Sequence, residues 1–277
     1  MEAKGITHQQ IKRIGRHHAV DLQDQLAVEE PLEIRIAYRS EGRMTQKAIS
    51  VTMRTPGNDA ELAVGFLFSE GIIKLHTEIK EVAIPTFEEN IVLVTLADSF
   101  EPALKSLERN FYTTSSCGVC GKASIDAIKT VSDFKVPSQS IQINREVIFQ
   151  LDQQIEAQQH IFESTGGLHA SFLFDQHGDF LMLREDVGRH NALDKLIGAT
   201  FLADKLPLFQ HILLLSGRAS FELIQKAAMA GIQIVAAIGA PSSLAVQLAE
   251  ESDITLIGFL RNERFNIYTG FHRILDI

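Results

Sequence analysis

The chain has 277 residues, of which 45% are hydrophobic and 22% charged, with 17 phenylalanines, ten histidines and only two cysteines. That composition is globular and supplies a full core for one large domain or two ordinary ones. The formal net charge of −9 argues against a protein built to hold nucleic acid through its phosphates, and no apolar run approaches the roughly 18 to 20 residues of a membrane span.

Residues 1–30 carry many charges and histidines without sustained periodicity, which predicts a flexible N-terminal arm. Met1 to Asp21 has no apolar stretch of the kind that makes a signal peptide, so the expected location is the cytoplasm, where the two thiols stay reduced. From Pro31 a β pattern opens. Leu32, Ile34, Ile36 and Tyr38 alternate with Glu33, Arg35, Ala37 and Arg39. After the turn Ser40–Arg43 a second alternation sets Ala48, Ser50 and Thr52 against Ile49, Val51 and Met53. The two read as a hairpin with one wet face. Asn58 or Asp59 then caps a helix over 60–69 that stops at Gly71. Strands follow over 81–84 and 91–97. These elements define a β-rich N-terminal domain with one helix, residues 31–110.

His76-Thr77-Glu78 has the His-x-Glu spacing of zinc deaminases, which place it upstream of Pro-Cys-x-x-Cys. Here Ser116 stands where that proline would be, and a surface turn after Gly71 is the better reading. Both cysteines lie in Ser115-Ser116-Cys117-Gly118-Val119-Cys120-Gly121-Lys122. The Cys-x-x-Cys spacing admits dithiol redox exchange, half of a zinc site, a thiol that carries sulfur or an acyl group, or two small residues packed together. A helical pattern over 122–130 puts the pair at a helix entrance, where backbone N–H groups, the helix dipole and Lys122 favour a thiolate. Cys117, the farther from the helix body, is the expected nucleophile. Residues 111–135 are therefore read as a mobile cysteine loop with a short helix.

The remainder, 136–277, is an α/β domain. Asn144 caps a helix over 145–158. Strands over 168–174 and 180–183 form a hairpin around the turn Asp175–Asp179, with His169 on the first strand behind a Gly-Gly loop. The run from Arg184 to Lys195 is mostly charged or titratable. It reads equally as a solvated face or as a functional cluster gathered at the entrance of an apolar helix, with Asp186, Arg189 and His190 near a site. Three apolar runs, 211–215, 232–238 and 254–259, alternate with helical segments over 219–230 and 242–250. This β-α-β-α-β pattern predicts a parallel sheet buried on both faces. Ligands of such sheets bind at the C-terminal strand ends. Here those ends carry Ser216-Gly217-Arg218, Gly239 to Ser243, and Phe259 to Arg264. Gly, Ser and Arg beside helix N-termini make anion sites, so a phosphate-bearing ligand such as a nucleotide is expected, with Arg218, Arg261 and Arg264 as contacts. Neither a dinucleotide fingerprint nor a P-loop is present.

Taken together, Cys117 to Gly121, Glu185 to Lys195, Ser216 to Ser220 with Gln225-Lys226, Leu67 to Ile73 and Thr255 to Phe259 resemble the FdhD family, the sulfur-carrier accessory proteins of formate dehydrogenase. The resemblance runs over nearly the whole chain from about Glu30. It implies an α/β (overall α+β) fold with a C-terminal part like cytidine deaminase but without its zinc. It implies that sulfur from a cysteine desulfurase is received as a persulfide on Cys117, with Cys120 assisting. That sulfur is passed to the molybdenum or tungsten centre of a bis-guanylyl molybdopterin cofactor bound as cargo and destined for formate dehydrogenase. It further implies a homodimer with no permanent cofactor or metal, and a cofactor-binding segment at Phe259, Leu260, Arg261, Asn262, Glu263 and Arg264, to which Ser216, Gly217 and Arg218 are added from the strand-end argument. The family often has Lys-Pro-Gly-Arg in that segment, whereas this chain has Arg261-Asn262-Glu263-Arg264. A dithiol oxidoreductase and a nucleotide-binding chaperone that transfers no sulfur are the alternatives.

Overall fold

The computed structural model describes residues 5–86, 88, 90–102, 134, 141–158 and 166–276. It is a mixed α/β protein. Strands β3 (Glu30–Ser40), β4 (Arg43–Arg54), β5 (Ile79–Ala83) and β6 (Ile91–Leu96) form a four-stranded sheet in the order β4-β3-β6-β5. Helix α1 (Asp59–Ser69) lies against it. The larger sheet has six strands, β8 (His169–Asp175), β9 (Phe180–Asp186), β10 (His211–Leu215), β11 (Ile234–Ala237), β12 (Thr255–Arg261) and β13 (Arg264–Thr269), in the order β13-β12-β11-β10-β8-β9. Its centre, β10-β11-β12, is parallel and is joined by α4 (Phe221–Met229) and α5 (Ser243–Glu251). β8, β9 and β13 are added antiparallel to their neighbours. Helices α2 (Arg145–Gln158) and α3 (Arg189–Leu202) complete the described helices, and β7 (Ile143–Asn144) pairs with β14 (Ile274–Leu275).

Alternation along the central strands explains the layering. Leu213, Leu215, Val235, Ala237 and Leu256 face one side with residues of α3, α4 and α5. Ile212, Leu214, Ile234, Ala236 and Ile257 face the other, with Ile148 and Leu151 of α2. The sheet is thus buried on both faces, as its continuous branched runs require. The core of the smaller sheet, Leu32, Ile34, Val92 and Val94, is continuous with Leu193, Leu196 and Leu223 of the larger layer. The two β-rich parts share one hydrophobic interior.

Helix α1 meets α3 at glycines. A Cβ on Gly65 would lie 1.9 Å from the Asp194 carbonyl oxygen, and one on Gly198 would lie 1.8 Å from that of Glu61. The helices cross with their backbones in contact because neither glycine has a side chain. Around this crossing Arg184 grips the Glu61 carboxylate in a bidentate pair, its Nη2 2.8 Å from Oε1.

Several sequence expectations are met closely. Asn144 Oδ1 accepts from the Glu146 N–H at 2.9 Å and opens α2. Asp175 Oδ1 accepts from the N–H groups of His177 and Asp179, closing the β8–β9 turn, and Gly71, with φ 72°, ends α1. Others are corrected. The stretch read as a flexible arm is a hairpin of two nine-residue strands, β1 (Ile6–Ile14) and β2 (Ala19–Ala27), paired from Ile6↔Ala27 to Ile14↔Ala19. Its register rests on cross-strand bonding more than on burial, which is why no period appears in the sequence. In β4 the predicted face switches midway: Ile49 is buried, while Val51 and Met53 are about half exposed. The cause is a bulge, since Ile34 pairs with Ser50 but Arg35 with Ala48, which leaves Ile49 as the extra residue. The chain between Phe259 and Arg264, read as one loop, is the end of β12 and a turn into β13, an element the sequence reading missed.

Candidate functional site at the strand ends

The topology brings four strand ends to one edge. β9 is antiparallel to β8 and β8 to β10, so β9 runs with β10, β11 and β12. The C-termini of β9, β10 and β11 therefore lead into the N-termini of α3, α4 and α5 on the same side of the sheet, and that of β12 leads into the turn before β13. The start of β8, at His169, lies on that edge too.

The loops there are held against one another by backbone bonds. Gly239 N–H donates to the Gly217 carbonyl at 3.0 Å, Phe259 N–H to that of Gly239 at 3.2 Å, and Ser242 N–H to that of Ala219 at 3.0 Å. Ser216 Oγ accepts from the Ala170 N–H at 2.8 Å, tying β8 to the end of β10. A Cβ on Gly217 would sit 3.3 Å from His169 Nδ1, and one on Gly239 would sit 3.0 Å from Arg218 Cγ. Ser216, Gly217, Arg218, Gly239 and Phe259 are thus one surface. Phe259 has φ 56°, in the left-handed region, at the irregularity where β12 departs from β13. Such strain in a bulky residue is retained where surrounding structure enforces it. Arg261, Asn262, Glu263 and Arg264 lie beyond it, exposed, on a two-residue turn whose Asn262 and Glu263 both have positive φ. The cofactor segment implied by the resemblance is therefore divided. Phe259 belongs to the edge, Leu260 is fully buried, and the four polar residues stand on the projecting turn.

Charge converges here. Arg189 and His190 occupy the first turn of α3 and Glu222 that of α4. His190 Nε2 is 3.6 Å from Glu222 Oε2. The His190 ring holds the Glu222 carboxyl down to about 2, against the upward push of burial. Burial lowers the His169 pKa, and the positive charges of Arg189 and His190 lower it further. Arg189 Nε is shielded from solvent and meets no hydrogen-bond partner among the described residues, while Ser220 supports the Glu222 carboxylate beside it. Cationic side chains, helix N-termini and an unspent guanidinium donor at one edge favour an anionic ligand.

The run from Arg184 to Lys195 is neither a solvated face nor wholly part of this edge. Asp186, Asn191, Asp194 and Lys195 are buried. Asp186 accepts from the N–H groups of Thr55 and Gly188 and from Asn191 Nδ2, and its Oδ2 is 2.7 Å from Lys195 Nζ. Lys195 also donates to the Thr55 carbonyl, and Asn191 to that of Met53. Asp194 accepts from Ser69 Oγ and, at 2.9 Å, from Lys226 Nζ. Burial works against the Lys226 ammonium, but the adjacent Asp194 carboxylate outweighs it and holds the amine protonated above its ordinary pKa. This polar network fastens the β4–α1 junction to α3 and fixes the start of α3, and with it Arg189 and His190. Asp186 is an anchor, whereas His169, Arg189 and His190 face the edge.

Cys117, Cys120, Lys122 and the helix expected over 122–130 lie outside the described residues. His76 and Glu78 form a single exposed helical turn, and the Glu78 carboxylate accepts from the N–H groups of Lys74 and Leu75. That is the surface turn expected of the segment. Sequence reasoning missed the Glu222–His190 pair and the shielded Ser220, because the partners come from separate helices and no local spacing announces them. No helix of the described residues is long and apolar enough to cross a membrane.

Comparison with known proteins places the chain. The model of the FdhD/NarQ family matches residues 27–275. Proteins called "Sulfur carrier protein FdhD" are similar along almost their full length. The one from Streptomyces avermitilis is 48% identical over 259 residues, covering 91% of this chain and 89% of that one. The one from Mycobacterium tuberculosis is 44% identical over 277 residues, covering 96% and 98%, and that of Sulfurisphaera tokodaii is 44% identical over 252, covering 91% and 92%. The crystal structure of a candidate formate dehydrogenase accessory protein from Desulfotalea psychrophila superposes with a TM-score of 0.72 over 98% of this chain and 99% of that one, and at 23% identity it speaks for the fold alone. With its model matched over 27–275 and relatives this similar, the chain belongs to the FdhD/NarQ family.

Proposed function

We propose that this protein is a sulfur carrier that accepts sulfur from a cysteine desulfurase on Cys117 and delivers it to the bis-guanylyl molybdopterin cofactor on its way to formate dehydrogenase. The observation that carries the proposal is the near full-length similarity to proteins named as FdhD sulfur carriers. In the loading step the Cys117 thiolate attacks the terminal sulfur of the donor's persulfide. One S–S bond forms as another breaks, and the donor thiolate leaves, with no net change in redox state. For delivery, a thiolate attacks Cys117 Sγ, a disulfide forms at that sulfur, and sulfide is released to the metal of the cargo; Cys120 is the in-chain source of that thiolate, and a cellular thiol such as a small-molecule reductant replaces it in Cys120→Ala and reduces the resulting disulfide.

The strand-end edge gives this cargo a place to dock. Phosphates of its nucleotide ends meet Arg218, Arg189 and the N-termini of α3, α4 and α5, while Arg261 and Arg264 reach from the projecting turn. In this reading the edge presents the metal to the cysteine loop. Cys117→Ala is expected to abolish activation of formate dehydrogenase, and Cys120→Ala to reduce it less. Activation that survives Cys117→Ala would instead favour a chaperone that binds the cofactor without transferring sulfur. Equal loss in both variants would favour dithiol redox exchange.

A further inference from the structure

Strands β1 and β2 form a sheet of their own, and no residue of either joins the hydrophobic cores. At about 3.4 Å per residue, their nine residues make an arm about 30 Å long. A free two-stranded hairpin is marginally stable in water, and this one has two unlike faces. Its register sets Ile11 opposite Leu22, Thr7 opposite Leu26 and Arg13 opposite Val20, so Ile11, Leu22, Leu26 and Val20 share one face. His8 with Gln25, Gln10 with Gln23 and Lys12 with Asp21 share the other. Val20 and Leu26 are 49% and 42% exposed, and Ile14 near the tip is 70% exposed. The tip itself is cationic. Lys12, Arg13, Arg16, His17 and His18 crowd into one short stretch of a chain whose net charge is −9. Arg13 and Arg16 are exposed and form no ion pair among the described residues.

The root of this arm lies beside the strand-end edge. β2 passes through Val28 and Glu29 into β3, whose first residue, Glu30, pairs with Arg54 at the end of β4. There Met53 and Thr55 bond to Asn191 and Asp186 at the start of α3. We infer that the β1–β2 hairpin is the arm by which this protein docks on the enzyme that receives its cargo, through a surface of that enzyme that is acidic and bears an apolar strip. The inference rests on the delivery to formate dehydrogenase proposed above. A receiving protein must approach the end of the molecule where the cargo sits, and the arm is rooted at that end. A chain of net charge −9 is repelled by an acidic surface at long range, and the cationic tip reverses that sign where contact is first made. The apolar face then supplies the buried part of the interface. The arm precedes residues 27–275, which match the family model, so the carrier role that the family name describes is assigned without it. Nucleic acid fits less well, since residues 6–27 hold no aromatic side chain to stack on bases. The same lack of aromatics, with Asp21 and Asp24 in the arm, argues against a membrane surface.

Biolayer interferometry of the full-length chain against purified, cofactor-free formate dehydrogenase tests this. The wild type is expected to bind, and more weakly as salt rises. Lys12→Glu/Arg13→Glu/Arg16→Glu is expected to weaken binding by about tenfold or more and to flatten its salt dependence. Val20→Asn/Leu26→Asn is expected to weaken it by about tenfold at every salt concentration. Both variants should unfold at the wild-type temperature, because the arm lies outside the cores, and both should still take up sulfur on Cys117 from a cysteine desulfurase. A charge-reversed protein that binds the enzyme like the wild type overturns the inference and leaves the carrier reading standing. One that loses sulfur uptake but holds the enzyme also overturns it and assigns the arm to the sulfur donor. Intact enzyme binding with a changed oligomeric state in light scattering assigns the arm to a second copy. Intact enzyme binding with lost binding of a single-stranded RNA assigns it to nucleic acid. A wild type that carries sulfur on Cys117 but does not bind the cofactor-free enzyme overturns the inference alone, and one that does neither overturns the carrier reading with it.

Discussion

At the scale of single residues, the buried ion pairs are where stability is most exposed to substitution. Lys226→Met leaves the Asp194 carboxylate sealed in the interior with only Ser69, among the described residues, to satisfy it. Removing one partner of such a pair costs about 3–5 kcal/mol, whereas replacing both by apolar or neutral groups of similar shape is often close to neutral. Urea unfolding should therefore show a large loss for Lys226→Met and a recovery in Asp194→Asn/Lys226→Met. Two histidines set the response to acid. Burial lowers the pKa of both His169 and His211; the charges of Arg189 and His190 add to this for His169, and Asp175 opposes it for His211. Below the ordinary imidazole value of about 6.5 the unfolded chain takes up protons that the folded one resists, so folding stability must fall as pH drops through that value. Thermal unfolding between pH 7.5 and 5.5 checks the sign. The melting temperature should drop toward pH 5.5, and less steeply in His169→Gln.

At the scale of elements, the contact that decides the architecture is the crossing of α1 with α3. Gly198→Ala drives a methyl group into the Glu61 carbonyl, where 1.8 Å is available. Because the obstacle is backbone, relief requires moving a helix. We expect a loss of about 3 kcal/mol or more, beyond the usual range of overpacking, and a lower melting temperature by calorimetry. Much of the element list was legible before any coordinates, because hairpins and β-α-β units announce themselves through local period and turn chemistry, as in Asp175 to Asp179 and the run from His211 to Phe259. The glycine crossing was not, since Gly65 and Gly198 are 133 positions apart in the chain and neither spacing nor composition marks them as neighbours. The same holds for Asp194 with Lys226 and for Thr55 with Asp186. A charge-rich run such as Arg184 to Lys195 looks solvated until its partners arrive from another element. β13 was overlooked for a different reason: its arginines were assigned to ligand binding, which hid the alternation in Arg264 to Thr269.

At the scale of the whole molecule, one continuous core unites both sheets, and the polar network from Thr55 to Lys226 holds α3 and α4 at fixed angles to the strand ends. The edge that results gathers Arg189, Arg218 and three helix N-termini, an arrangement that favours an anionic ligand. The expectation of an anion-binding edge came from Gly, Ser and Arg at successive strand ends. Its internal division, with Phe259 strained at the edge and Arg261 to Arg264 projecting beyond it, required the backbone. Calorimetry with GDP should detect binding in the wild type and about a tenfold loss in Arg218→Ala, the cost of one charge-assisted contact. The central claim, that sulfur travels on this chain, rests on Cys117 and is tested most directly by intact mass spectrometry after incubation with a cysteine desulfurase and cysteine. The account predicts a species one sulfur atom heavier, reversed by a thiol reductant and absent in Cys117→Ala. An unchanged mass, or added sulfur that persists in Cys117→Ala, would contradict it.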